Sequence, residues 1–320
     1  MDHFDIIFST TPLSVLDLGI CPADWTESVL KSATSSLRYF FPRAEVIRGK
    51  LLLKKYHIEL LQIRTEEPFS LQFKLDRDRL FLLFTIQGDL RFSTEAGTEV
   101  TTANENSFYP SHSRAGVYRG EIVEESVVKA LIISFDPKWT ESIVRPYRVL
   151  WEALREIALS DRQFSILPRL RVDHVLGEEL GEILGFNDAN IGIVKLKMRK
   201  KIAMVLKSYH EMLVSSGLDK IYLAGLYIMK NFTDPEIDIQ SLLQDLPMSD
   251  KTFRRKFRVI FGTTPYDYCI RLRMEKARRL MGEQGLDKKE VYSMVGYTDL
   301  GSFSRIYRSY YRNGERNNLI

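Results

Sequence analysis

The 320-residue sequence predicts an α+β chain of two domains. An antiparallel β-barrel or sandwich with following helices is expected over residues 1–217, and an all-α domain over 218–320. Three observations carry this. Between residues 50 and 136, short β-branched and aromatic runs such as HIELLQIRTEEPF, SLQFKLD and VVKALIISFDP are split by turn residues. After Pro137, apolar residues recur at three- and four-residue spacing, the period of a helix. Charge is divided unevenly: from Leu218 onward there are 18 Lys/Arg against 13 Asp/Glu, while residues 1–217 hold 28 against 29.

Composition sets outer bounds. Hydrophobic residues make up 44% and charged residues 28%, enough apolar material for a core. There is no uninterrupted apolar run of about 18 residues, and the N-terminal MDHFDIIFST lacks a signal-peptide pattern. The expectation is a cytoplasmic, bacterial-type location with no membrane attachment. Cys21 and Cys269 are too far apart in the sequence to indicate a disulfide framework or a paired-thiol metal site.

Within the N-terminal domain, DWTESVLKSATSSLRYF reads as a helix ahead of the strands. Gly88-Asp89 and Ala96-Gly97 read as two hairpin corners in LFLLFTIQGDLRFSTEAGTEVTT. The β-rich block ends near residue 136, and residues 137–215 are expected to be helical. WTESIVRPYRVLWEALREIAL is interrupted at Pro146, HVLGEELGEILG forms a second segment, and a long helix follows. On that long helix Ile193, Leu196, Ile202, Val205, Leu206, Tyr209 and Leu213 form one apolar stripe, which either packs on its own β-domain or makes a dimer seam. Ser215-Ser216-Gly217 marks the boundary.

The C-terminal domain carries the sharpest signal. DIQSLLQDL places Ile239, Leu242, Leu243 and Leu246 at helical spacing, and a three-residue turn leads into MSDKTFRRKFRVIF. Ser249 is a favourable N-cap, Asp250 suits the positive helix N-terminus, and Gly262 is a stop. At 100° per residue, Phe253, Phe257 and Ile260 share one face while Lys251, Arg254, Arg255 and Arg258 share the other, with Lys256 near the apolar edge. A solvated charged helix has the same composition. The turn and the facial segregation favour a helix that enters the major groove, where arginine reads guanine and lysine, serine or threonine grips phosphate. About 50 residues on, the pattern recurs: Phe303, Ile306, Tyr307 and Tyr310 face inward and Gly301, Ser304, Arg305 and Arg308 outward, after a Gly296-Tyr297 turn and a cap at Thr298 or Asp299. PYDYCIRLRMEKARRLM, with Pro265 in its first turn, forms a rigid helix between the two units.

These residues resemble the DNA-binding domain of the AraC/XylS family of transcription regulators. The resemblance covers about Leu218 to Arg312. It rests on Met248-Ser249, Phe253, Phe257, Gly262-Thr263-Thr264-Pro265, Tyr268, Arg271-Leu272-Arg273, Ala277 and Leu280, then on Val295-Gly296-Tyr297, Ser302-Phe303-Ser304-Arg305 and Tyr307-Arg308. It implies seven helices, two helix-turn-helix units joined by one long helix, and DNA contacts from Ser249, Lys251, Thr252, Arg254, Arg255, Arg258, Gly301, Ser304, Arg305 and Arg308. Three departures concern the second unit: Tyr292 stands where the family has a small residue, Lys288 where it has an apolar one, and Tyr311-Arg312-Asn313-Gly314-Glu315-Arg316 replaces the usual closing segment. The second unit is therefore expected to pack less tightly.

The family plan also implies a cupin-like N-terminal barrel, a homodimer, activation through RNA polymerase, and gating by a small-molecule effector. For that effector, SFYPSHSRAGVYR offers Tyr109, His112, Arg114, Tyr118 and Arg119 at a barrel mouth, suited to an anionic or hydroxylated ligand. A surface loop and edge strand have the same pattern. His57 and His112 are single and about 55 residues apart, a poor basis for a metal-dependent cupin enzyme. No phosphate-loop, Rossmann or nucleophile-elbow motif is present. The expectation is a regulator with no cofactor, metal or enzymatic activity. The rivals are an oligomerising interaction protein with degenerate DNA binding and a cupin-type enzyme.

Overall fold

A computed structural model describes residues 4–19, 29–95, 97, 99–159, 163–239, 241 and 248–317. The chain divides into two compact units, Met1–Leu213 and Val214–Ile320. The division falls a few residues before Gly217, which sits in the left-handed region at φ 65° as the N-cap of the following helix.

The strands of the first unit are β1 Asp5–Phe8, β2 Ser14–Asp17, β3 Ser35–Phe40, β4 Ala44–Leu53, β5 Tyr56–Thr65, β6 Phe69–Leu75, β7 Arg79–Gln87, β8 Leu90–Thr94, β9 Glu99–Ala103, β10 Ser107–Ser113, β11 Gly116–Ile122 and β12 Ser126–Phe135. Helices α1 Pro137–Val144 and α2 Arg148–Leu159 precede two short strands, β13 Phe164–Ile166 and β14 Leu170–Arg171, and then α3 His174–Gly185 and α4 Ile191–Ser215. The strands form two antiparallel sheets. One runs β1-β6-β11-β8-β9 and the other β13-β10-β7-β12-β5-β4-β3-β2, with β14 also on β10. Inward residues of both sheets, including Val46, Leu61, Phe73, Leu83, Tyr109, Tyr118 and Ile132, build a common core.

Several expectations need correction. Strands begin at Asp5, not near residue 50. Within β4 the inward position Arg48 is charged, so the run AEVIRGKLLL does not show the alternation by which a half-buried strand is recognised. Ser35–Phe40 is a strand and not the end of a helix, because it pairs in register with β4 (Leu37 opposite Arg48), a partner that local propensity does not see. Residues 24–28 of that expected helix lie outside the described residues. Gly88 does take the left-handed φ of 66°, but the turn it makes carries the chain from one sheet to the other rather than closing a hairpin. The hairpin is at Gly97 (φ 81°), between β8 and β9; Ala96 lies outside the described residues. β13 and β14 interrupt the region expected to be wholly helical.

The break between α1 and α2 surrounds Pro146, and α3 covers HVLGEELGEILG. In α4 the buried stripe is Val194, Met198, Ile202, Val205, Leu206, Tyr209 and Leu213. Ile193 and Leu196, expected in that stripe, are exposed. The helix covers the outer face of the larger sheet: Tyr209 donates to the Pro168 carbonyl (2.7 Å) and stands edge-on to Phe108, itself stacked on Phe84. Lys201 joins α4 to α3 through Glu179 and Glu182. Among the described residues no single helix is long and apolar enough to cross a membrane.

The second unit contains α5 Leu218–Asn231, α6 Asp250–Phe261, α7 Pro265–Gln284, α8 Lys288–Met294 and α9 Leu300–Asn317. Of the expected helix before α6, residues 240 and 242–247, which include Leu242, Leu243 and Leu246, lie outside the described residues; Ile239 packs against the first core cluster. That cluster joins Ile221, Ala224 and Ile228 of α5 to Phe253 and Phe257 of α6 and to Tyr268 and Cys269 of α7. The second joins Met274, Ala277 and Leu280 of α7 to Val291, Val295 and Phe303. The α7 helix is thus common to both cores, and its 20 residues span about 30 Å.

Candidate nucleic-acid interface

The α6 helix is built by its ends and its buried face. Ser249 Oγ accepts from the Thr252 amide at 3.3 Å and lies 3.0 Å from Thr252 Oγ1. Gly262, in the left-handed region at φ 74°, closes the helix by donating to the Arg258 carbonyl. Phe253 and Phe257 are buried, and the Phe257 ring lies 4.3 Å from that of Phe261 and 5.7 Å from that of Tyr268. With this face held inward, Lys251, Arg254, Arg255 and Arg258 project into solvent. Arg254 is not idle: its Nε lies 2.9 Å from both carboxylate oxygens of Asp250, one turn earlier. Lys256 turns away and donates to the Ser216 carbonyl at 3.0 Å, a backbone anchor that sequence periodicity does not reveal.

The second unit repeats the design. Asp287 and Glu290 form a reciprocal capping box on α8. Asp299 caps α9, its Oδ1 accepting from the Ser302 amide at 2.7 Å, and that hydrogen bond holds its carboxyl below the usual range. Phe303 is buried, while Gly301, Arg305 and Arg308 are exposed and Ser304 is half-buried. The core is closed despite the departures in sequence. Tyr292 packs against the second cluster, and the Lys288 ammonium sits 5.3 Å from the Tyr307 ring centroid. Where the family's closing segment would stand, α9 continues to Asn317, and Tyr311 donates to the Met274 carbonyl at 2.9 Å.

The role of Arg273 is not legible from periodicity. From α7 it donates to the carbonyls of Phe232 (2.6 Å) and Asp234 (2.8 Å), and its guanidinium stacks on Tyr297 at 5.1 Å. One side chain therefore ties the end of α5 to the turn of the second unit. Gly296 fits that turn for two reasons: φ is 82°, and a Cβ would meet the Phe232 carbonyl oxygen at 2.8 Å.

In the first unit, a cavity of about 60 Å³ lies between the two sheets. Of the residues proposed there, Tyr109 and Tyr118 line it and His112, Arg114 and Arg119 do not. Alternation along β10 is the reason: Tyr109, Ser111 and Ser113 face the cavity, while buried His112 faces the helix-covered side with Phe108. Arg114 is exposed and lies 3.9 Å from Asp78, and Arg119 lies 3.7 Å from Glu121. Among the described residues no group of His, Cys, Asp and Glu could hold a metal ion.

Two helical units, each presenting an exposed basic helix on a buried aromatic core, define a helix-turn-helix protein. Residues 242–313 match the helix-turn-helix domain family. The second unit thus carries an AraC-type helix-turn-helix domain over these residues. The chain is similar to the HTH-type transcriptional regulator GbdR of Pseudomonas aeruginosa, 24% identical over 171 residues, covering 50% of this chain and 46% of GbdR. It is also similar to CdhR of the same organism, 30% identical over 81 residues, covering 25% of this chain and 24% of CdhR. The chain thus spans about half of GbdR and about a quarter of CdhR. Among solved structures, an apo form of ToxT from Vibrio cholerae aligns with 80% of this chain and 94% of its own, at 12% identity and a TM-score of 0.34.

Proposed function

We propose that this chain is a cytoplasmic, sequence-specific DNA-binding transcription regulator, and not an enzyme, that reads a promoter site chiefly through α6. The observation that carries the reading is the facial division of that helix: three exposed arginines and a lysine held outward by two fully buried phenylalanines, behind a serine cap. The connecting helix supports placing a second contact, from Gly301, Ser304, Arg305 and Arg308, in the next major-groove segment. The AraC-type domain favours an activator that meets RNA polymerase. On α4 the exposed Ile193, Leu196, Met204 and Val214 fall within one narrow stripe, which supports a homodimer seam. The cavity between the sheets supports effector gating by a cupin-like domain, in which an effector acts by binding the DNA-competent and incompetent states unequally.

The test is genome-wide DNA capture with the intact chain and with an Arg254→Ala, Arg255→Ala double variant. Wild type should enrich a shared motif that the variant loses, each arginine being worth about 1–3 kcal/mol if it contacts a base through two hydrogen bonds. Absence of any enriched motif with folded wild type would overturn the reading.

A further inference from the structure

Of the four basic side chains on the outer face of α6, one is already held by the protein. Among the described residues Lys251, Arg255 and Arg258 make no side-chain hydrogen bond or ion pair. Arg254 does, through its Nε alone, which lies 2.9 Å from both carboxylate oxygens of Asp250. Its two Nη groups have no hydrogen-bond partner among the described residues. The side chains of Arg254 and Asp250 are 44% and 55% exposed, and a pair so open to water adds little to the stability of a helix. What the pair does fix is the direction in which the guanidinium points.

The contrast with the second unit is informative. At the start of α9 the acidic residue, Asp299, is taken up by the backbone, its Oδ1 accepting from the Ser302 amide, and the residue one turn after it, Phe303, is the buried anchor. In α6 the cap is Ser249, which accepts from the Thr252 amide, so the carboxylate of Asp250 is released from capping and faces Arg254 one turn on. Helical side chains lean toward the N-terminus, and the guanidinium accordingly returns to the first turn of α6, the end of a recognition helix that meets base edges in the major groove. With Nε engaged, the free end of the side chain is the Nη pair, two donors in one plane. Guanine alone among the bases presents two adjacent acceptors in that groove, O6 and N7.

We propose that Asp250 is a positioning residue, which holds the Arg254 guanidinium before DNA arrives so that its Nη pair reads a guanine of the bound site. This inference rests on the reading of α6 as the recognition helix. Two consequences follow from the chemistry. An arginine left unheld loses its rotamer freedom on binding, a penalty equivalent to about three- to tenfold in the preference for guanine, and Asp250 removes it in advance. The same carboxylate repels phosphate, so it weakens binding to every duplex alike while sharpening the choice at one base.

Competition binding of the full chain tests it, with duplexes that carry the captured motif, each of the four bases in turn at every position, and a random duplex as reference. Arg254→Ala should remove a guanine preference at one position of the motif. Asp250→Ala should reduce the preference at that same position by about three- to tenfold, leave the other positions unchanged, and bind the random duplex at least as tightly as wild type. In the Arg254→Ala background, Asp250→Ala should make no further change at that position. A carboxylate that merely stabilised the helix would give the opposite pattern, with weaker binding to every sequence and no position singled out. That pattern, an unchanged guanine preference in Asp250→Ala, or a base other than guanine at the position lost in Arg254→Ala would each overturn the proposal. If Arg254→Ala alters one base preference and Asp250→Ala does not, the positioning role fails and the reading of α6 stands; if wild type prefers no sequence, both fail.

Discussion

Phe257→Ala, set against Arg255→Ala, examines the division of α6 into two faces. Phe257 is fully buried, and its ring lies 5.6 Å from Phe253, 4.3 Å from Phe261 and 5.7 Å from Tyr268, at the centre of the first cluster. Truncating such a ring costs about 3–5 kcal/mol in lost transfer energy and residual cavity. A unit of this size has a total stability of about 5–15 kcal/mol. Each kcal/mol shifts its melting by about 4–8 °C, so its transition should fall by about 12 °C or more. Arg255 is exposed and makes no side-chain hydrogen bond or ion pair among the described residues; its removal should alter stability by about 0.5 kcal/mol at most. Differential scanning calorimetry of the full chain reads both, and gel-shift titration on the captured motif should show that Arg255→Ala loses affinity while still folded. Equal loss of thermal stability in the two variants would refute the facial assignment, and an unchanged transition in Phe257→Ala would refute the packing.

Two further outcomes are expected. In Gly225→Ala a Cβ would stand 2.1 Å from Phe261 Cζ, and the ring is boxed by Phe257 and Tyr268, so overpacking of about 2–3 kcal/mol should exceed the gain in helix propensity of about 1 kcal/mol; a raised melting temperature would show that Phe261 is free to move. Burial acts to raise the Glu59 carboxyl, but Arg48 and His57 more than offset this and hold it down to about 2. Because its folded value lies below the usual 4.5, its stabilisation is complete above that pH and is lost as the pH falls toward 2. Glu59→Gln leaves Arg48 buried without its partner and should cost about 3–5 kcal/mol at neutral pH. The stability gap between wild type and variant, measured by urea unfolding, should narrow from pH 4.5 to 2, and a constant gap contradicts the assignment.

What the sequence determined by itself is the local part of this protein. Ser249, Gly262, Thr264, Pro265 and Gly285 mark helix ends because capping is settled within a few residues. The faces of α6 and α9 follow from a 100° rotation, which no distant contact alters. Tertiary structure alone decided whatever depends on partners far along the chain. Arg48 made β4 unreadable as a strand because the carboxylate that allows its burial, Glu59, lies eleven residues on in a neighbouring strand. His112 of β10 and Arg114 just beyond it are the conspicuous polar residues of SFYPSHSR, although Tyr109 implies, by alternation, that Ser111 and Ser113 share its face. Only the opposing sheet turned that face into a cavity. Likewise α4 shows an apolar stripe in any reading, but whether Ile193 or Val194 is buried depends on the axial rotation of the helix, set by Tyr209 meeting Phe108 and the Pro168 carbonyl. Periodicity identifies a face, and packing against a partner selects which residues at its edge are covered.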